Sequence, residues 1–292
     1  MKKYALWIAI AVCVPQGPAF SIHYEQLNAA KLLRGEKRFE EAIQKLESMA
    51  GKAADADENF HYLNLAVEIA VSSLKDAERA LALAQKIADP GRRDYACLNV
   101  LADFKRYDEA LEQVRGKNMD EWHVRCRGGA HLILSEIYHQ RGDEAAAQRH
   151  RLDAVAGTGS EVAVRGSAAT AAGQFYLKQG EHQKAEEMFR KALSISPAFY
   201  AWRNASLTAL SRLLVQNLRA REAVALFEGI DFSKVENAHS RGQLMEAHAR
   251  ALLAAGKKIR AVEAFDALLH SGIPADWKDR INRELDQMAE DF

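Results

Sequence analysis

Apolar residues recur every three or four positions along nearly the whole chain, the period of an α-helix that buries one face. The segment carrying Ala185, Met188, Phe189, Ala192, Leu193 and Ile195 shows this most plainly. Strand-like alternation is absent, so the pattern predicts an all-α protein. The stripes also repeat. Ala185, Ala223 and Ala261 stand 38 residues apart, and the ladder runs back through Ala147, Ala110, Ala80 and Ala42. Each alanine opens a helical stretch just after a short polar turn. Three of those turns carry Gly142, Gly180 and Gly256, which suit the left-handed backbone that ends a first helix before a second begins. A single helix pair cannot bury both of its apolar faces, so repeated pairs must stack into a solenoid with capped ends.

The unit with Gly173-x2-Tyr176, Gly180, Ala185-x3-Phe189, Ala192 and Pro197 resembles the tetratricopeptide repeat. Ala169 and Ala172 stand where that pattern starts with a large Trp and Leu. The last unit repeats the theme with Leu252, Gly256, Ala261, Phe265 and Leu268, and the sixth with Leu214, Ala223, Phe227 and Ile230. The fourth keeps Tyr138, Gly142, Ala147 and Ala154 but has Arg151 in place of the aromatic. The second and third units are looser, with their alanines 30 residues apart and no turn glycine. The resemblance implies a right-handed α-solenoid of about seven helix pairs with a C-terminal cap helix. The organisation expected is residues 22–160 as divergent repeats, 161–275 as well-matched repeats and 276–292 as the cap. In the cap, Trp277, Ile281, Leu285 and Met288 make one apolar stripe. Pro90, Pro197 and Pro274 each fall where one unit gives way to the next.

Residues 1–21 differ in kind. Lys2 and Lys3 precede an apolar run from Tyr4 to Val14, then Pro15-Gln16-Gly17-Pro18, then the small residues Ala19 and Ser21 around Phe20. That order predicts a secretory signal peptide cleaved after Ser21, with Gly17 and Ala19 offering a second choice of small pair and a chain starting at Phe20. The run of 11 apolar residues is roughly 16 Å as a helix, about half of a bilayer's hydrocarbon thickness. An uncleaved anchor, or a lipoprotein acylated at Cys13, are the alternatives. The short basic start looks bacterial, so the expected destination is the periplasm or the exterior. No later apolar run approaches spanning length, so no membrane span is expected once the signal is removed.

Forty basic residues balance forty acidic ones, which leaves no nucleic-acid footprint in the composition. Cys97 and Cys126 lie on helices of successive units, either bridged or as two small core side chains. The chain has no His-Glu-x-x-His, no Cys-x-x-Cys and no Gly-x-Ser-x-Gly. His131 and His139 are eight residues apart on one predicted helix, roughly 12 Å along its axis and too far to share an ion. His123 and Cys126 lack a second pair of ligands. Gly157-Thr158-Gly159-Ser160 has no lysine to hold a phosphate, and Arg141-Gly142-Asp143 occupies an inter-helix turn. The reading is therefore no enzyme, no metal and no cofactor. A structural or self-assembling repeat protein, or an enzyme, are the alternatives to a binding scaffold.

Tetratricopeptide resemblance implies a concave groove, lined by the first helix of each pair, that receives a partner peptide or helix. The row expected to face it is Lys31, Asn99, Glu136, Gln174, Arg212 and Arg250, with His139 beside it. Tyr95, Leu132, Thr170, Thr208 and Glu246 come one turn earlier. Arg212 and Arg250, from adjacent units, are placed to grip a partner's carboxylate; alternatively they pair with Glu246 and other local acids. Leu132 and Ile133 stand where the carboxylate clamp of chaperone-binding members needs polar residues.

Overall fold

A computed structural model describes residues 21–157, 161–196, 198 and 200–290. Residues 1–20 of the signal peptide expected at 1–21, Thr158 to Ser160 of the small-residue loop, and Pro197 lie outside the described residues. All regular structure among the described residues is helical. None of these helices is long and apolar enough to cross a membrane. The chain divides into two compact units, residues 1–164 and 165–292.

The first unit holds four helix pairs. They are α1 (Ser21–Gly35) with α2 (Phe39–Ala50), α3 (Ala56–Ile69) with α4 (Ala77–Ala84), α5 (Pro90–Asp103) with α6 (Tyr107–Val114), and α7 (Val124–Gln140) with α8 (Glu144–Ala156). A π-helical turn, Ala70–Leu74, extends α3. The second unit holds three pairs and a cap, its first helix beginning three residues before the boundary. They are α9 (Val162–Lys178) with α10 (His182–Ile195), α11 (Ala201–Gln216) with α12 (Ala220–Ala225), α13 (Ala238–Ala254) with α14 (Lys258–Leu269), and the closing helix α15 (Ala275–Glu290). Pro90 is the first residue of α5, where its missing N–H costs nothing, and the Asp89 side chain caps that end.

Small residues set the crossings. The seven ladder alanines, Ala42, Ala80, Ala110, Ala147, Ala185, Ala223 and Ala261, are each 0% exposed. A methyl group at each lets paired helices approach closely. The aromatic four positions on, Phe189 in α10 and Phe265 in α14, is also fully buried. In the α7–α8 pair, Arg151 sits in that aromatic's place and is buried as well, its Nη1 3.5 Å from Glu144 Oε2. Cys97 and Cys126 are both buried and are not joined by a disulfide. Burial pushes the Cys97 thiol up to about 11.

Every pair turns on one left-handed residue. Glycine fills it in three, at Gly142, Gly180 and Gly256, but Lys37, Lys75, Lys105 and Leu218 fill it in the others. The hydrogen bonds do not depend on which residue is there. Arg219 N–H donates to Leu214 O at 2.8 Å, as Asp143 N–H donates to Tyr138 O at 2.9 Å. This is the closure that satisfies the last carbonyls of the first helix. Leu218 has φ 61° and is 94% exposed, so its side chain makes almost no contact that offsets the strain. Leu218→Gly is expected to stabilise the chain by about 0.5–1 kcal/mol, the relieved left-handed strain exceeding the entropy glycine adds to the unfolded state. Urea denaturation checks this; a lower midpoint for the variant would contradict it.

Candidate functional site

In the first unit, the expected groove residues come from α1, α5 and α7. Lys31 is exposed, Asn99 half-buried and Glu136 exposed. Glu136 Oε1 accepts from Gln140 Nε2 at 2.7 Å along the same helix. His139 does not stand free beside this row. Its Nδ1 is hydrogen-bonded to Glu144 at the start of α8, and Glu144 also meets buried Arg151. Burial would raise the Glu144 carboxyl, but the hydrogen bond from His139 and the nearby cations hold it below the usual range. His139 is thereby a member of an inter-helix polar network.

In the second unit, Gln174 on α9 and Arg212 on α11 are exposed. Arg212 makes no side-chain hydrogen bond or ion pair among the described residues. Arg250 on α13 differs, because it is already occupied. Its Nε donates to Glu246 Oε1 at 2.8 Å and its Nη2 donates to Glu284 Oε1 on α15 at 2.8 Å. The paired grip of Arg212 and Arg250 is therefore not assembled, and Arg250 follows the alternative of pairing with local acids.

Glu246 is 5% exposed, so it does not line an open surface. Beyond Arg250, it accepts from Trp277 Nε1 at 2.8 Å and from Arg280 Nη1 and Nη2 at 2.8 and 2.9 Å. Burial alone would push its carboxyl up. The hydrogen bonds and charges of Arg280 and Arg250 outweigh that and pull it down to about 2. This is the lock that holds the cap helix. The residues one turn earlier, Tyr95, Leu132, Thr170 and Thr208, are buried too. Thr170 Oγ1 lies 2.8 Å from Ser206 Oγ and 2.8 Å from Gly166 O, at the crossing of α9 and α11. Of the expected row positions in this unit, Gln174 and Arg212 face solvent.

A second constellation joins residues far apart in sequence. His131 on α7 meets His150 and Asp153 on α8. The His131 and His150 Nδ1 atoms are 2.9 Å apart, and His131 Nδ1 lies 3.8 Å from Asp153 Oδ2. The Tyr138 ring stacks on His150 with centroids 5.4 Å apart and planes 10° from parallel. Burial lowers the His131 pKa and, with the His131 charge, pulls His150 down to about 4, so His150 is neutral at pH 7. Spacing along one helix pairs His131 only with His139. The signal available was His150 and Asp153, one turn apart on a helix predicted to run antiparallel beside it. Two open surface hollows complete the picture. One of about 310 Å³ lies near Arg38, Glu41 and Leu74, and one of about 280 Å³ near Phe232, His248 and Arg260.

Residues 167–199 match the family model of the tetratricopeptide repeat. No curated protein matches the sequence. Among solved structures, a tetratricopeptide repeat protein from Parabacteroides merdae is 14% identical, with 89% of this chain and 96% of that chain covered and a TM-score of 0.41. The apo quorum sensor NprR from B. thuringiensis is 13% identical over 92% of this chain and 87% of that one, with a TM-score of 0.43. NprR in complex with its cognate peptide NprX is 13% identical over 94% and 84%, with a TM-score of 0.40. Residues 167–199 are thus similar to one tetratricopeptide repeat, and the same order of helix, left-handed turn and helix recurs in the other pairs of the described residues.

Proposed function

We propose that this chain is a non-catalytic protein-interaction scaffold of the bacterial cell envelope, receiving a peptide or helix of a partner protein. The surface it uses is the exposed row of first helices in the second unit, at Gln174 and Arg212. The observation that carries this reading is Arg212, a solvent-facing guanidinium with no side-chain partner among the described residues, with exposed Gln174 on the preceding first helix. A charge that the fold leaves unsatisfied is available to a partner's carboxylate. One such bond contributes about 1.5–3 kcal/mol when shielded by the partner, and much less when it stays wet. Arg250 is outside the grip because Glu246 and Glu284 hold it. Delivery to the periplasm is supported by the basic, apolar and small-residue order of residues 1–21.

The test is a photo-crosslinking amino acid placed at Arg212, at Gln174, and at exposed Lys191 on α10, in a bacterium expressing the full chain. Adducts to one partner from the first two positions, in envelope-fraction protein whose intact mass begins at Ile22 or Phe20, are the expected result. Adducts from position 191 alone would move the binding surface to the second helices. An uncleaved chain in the cytosolic fraction would overturn the envelope assignment.

A further inference from the structure

We propose that His131, His150 and Asp153 form a binding site for one zinc ion between α7 and α8. Zinc is held by imidazole nitrogens at about 2.0–2.1 Å and carboxylate oxygens at about 2.0–2.2 Å, which places tetrahedral ligand atoms about 3.3 Å apart. The three candidate ligand atoms already lie within 4.8 Å of one another, with separations of 2.9 Å between the two Nδ1 atoms and 3.8 Å from His131 Nδ1 to Asp153 Oδ2. The separations of 2.9 and 3.8 Å bracket that spacing. Two imidazoles and one carboxylate suit zinc, whereas calcium and magnesium require mostly oxygen ligands.

The surroundings fit a bound cation. Tyr138 stacks on His150 and fixes the plane of that ring. Asp153 is 57% exposed at its side chain while His131 is 14% exposed, so the ion enters from the Asp153 side and keeps water in its fourth position. Of the nearby charges, Arg127 is drawn to Asp120, with Arg127 Nη1 3.4 Å from Asp120 Oδ1. Without metal, one neutral ring donates its Nδ1 proton to the other ring's Nδ1. On binding, that proton moves to Nε2 of the same ring, so both Nδ1 atoms coordinate and no imidazole proton is released. The ion would then tie the two helices of the fourth pair together, where Arg151 replaces the usual packing aromatic.

The experiment is calorimetric titration of the chelator-stripped full chain with zinc chloride alone, alongside thermal melting. One site per chain and a zinc-dependent rise in melting temperature are expected. His131→Ala with His150→Ala should weaken binding by at least about 100-fold, and Asp153→Asn, an exposed near-isosteric change, by about 10-fold. His182→Ala, at an exposed histidine on α10, should bind as wild type does. Absence of binding by the wild type at millimolar zinc, or equal binding by the double variant, would overturn the site. Should circular dichroism show the double variant unfolded, Asp153→Asn decides: undiminished affinity there overturns it.

Discussion

Glu246→Ala is expected to destabilise the second unit by about 3 kcal/mol, with the cap helix α15 loosening first. The carboxylate is 5% exposed and takes four hydrogen bonds, from Arg250, Trp277 and twice from Arg280. Removing one partner of a buried ionic cluster costs about 3–5 kcal/mol, because the remaining polar groups lose their match. The lower end applies here, since Arg250 and Arg280 are each more than one-third exposed at their side chains and regain water. In a repeat protein, stability is a sum over neighbouring interfaces, so the loss falls mainly on the α13–α15 contact. The sign with pH follows from a folded pKa of about 2, below the ordinary carboxylate value of 4.5. Glu246 contributes its full stabilisation above about pH 4.5 and loses it as pH falls from there toward 2. A wild type that softens across that interval, beside a Glu246→Gln variant that is weaker at pH 7 and changes less with acid, is the expected pair of denaturation curves. Coincident curves at pH 7 would refute the lock.

The second large effect lies at Gly166. A Cβ added there would collide with the Trp202 indole at Cε2 and Cδ2. Trp202 is 8% exposed, and its indole cannot fold aside as a flexible chain end would. Gly166→Ala should therefore force α9 and α11 apart and cost about 2–3 kcal/mol by overpacking, although alanine favours a helix over glycine by about 1 kcal/mol. It should also strain the Thr170–Ser206 hydrogen bond at the same crossing. Pairing the change with Trp202→Leu tests the mechanism. The double variant should be less destabilised than the sum of the two singles, the signature of a shared contact. Strict additivity would place the damage elsewhere.

Helix-period stripes, the alanine ladder and the turn glycines were all legible in the sequence, because each is a local requirement. A helix must bury one face, two backbones can cross closely only over a small residue, and a left-handed turn favours glycine. The structure extends that logic to turns the sequence disguised. Lys37, Lys75, Lys105 and Leu218 take the same left-handed conformation without being glycine, since the flanking helices impose it. The candidate site was harder. Row positions placed Gln174 and Arg212 at the surface, but residue type alone did not show that Glu246, Thr170 and Thr208 are buried or that Arg250 is taken.

Spacing along one helix fixes which residues share a face. It does not fix which partner that face meets. Glu246 meets Trp277 and Arg280, 31 and 34 residues on, and Thr170 meets Ser206, 36 residues on. His131 meets His150 from the facing helix of its own pair, 19 residues away. Those meetings depend on the angle and depth at which helices pack, set by many side chains at once. So the sequence by itself determined the repeating helix pairs, and the tertiary structure alone decided which polar groups are spent holding pairs together and which remain for a ligand.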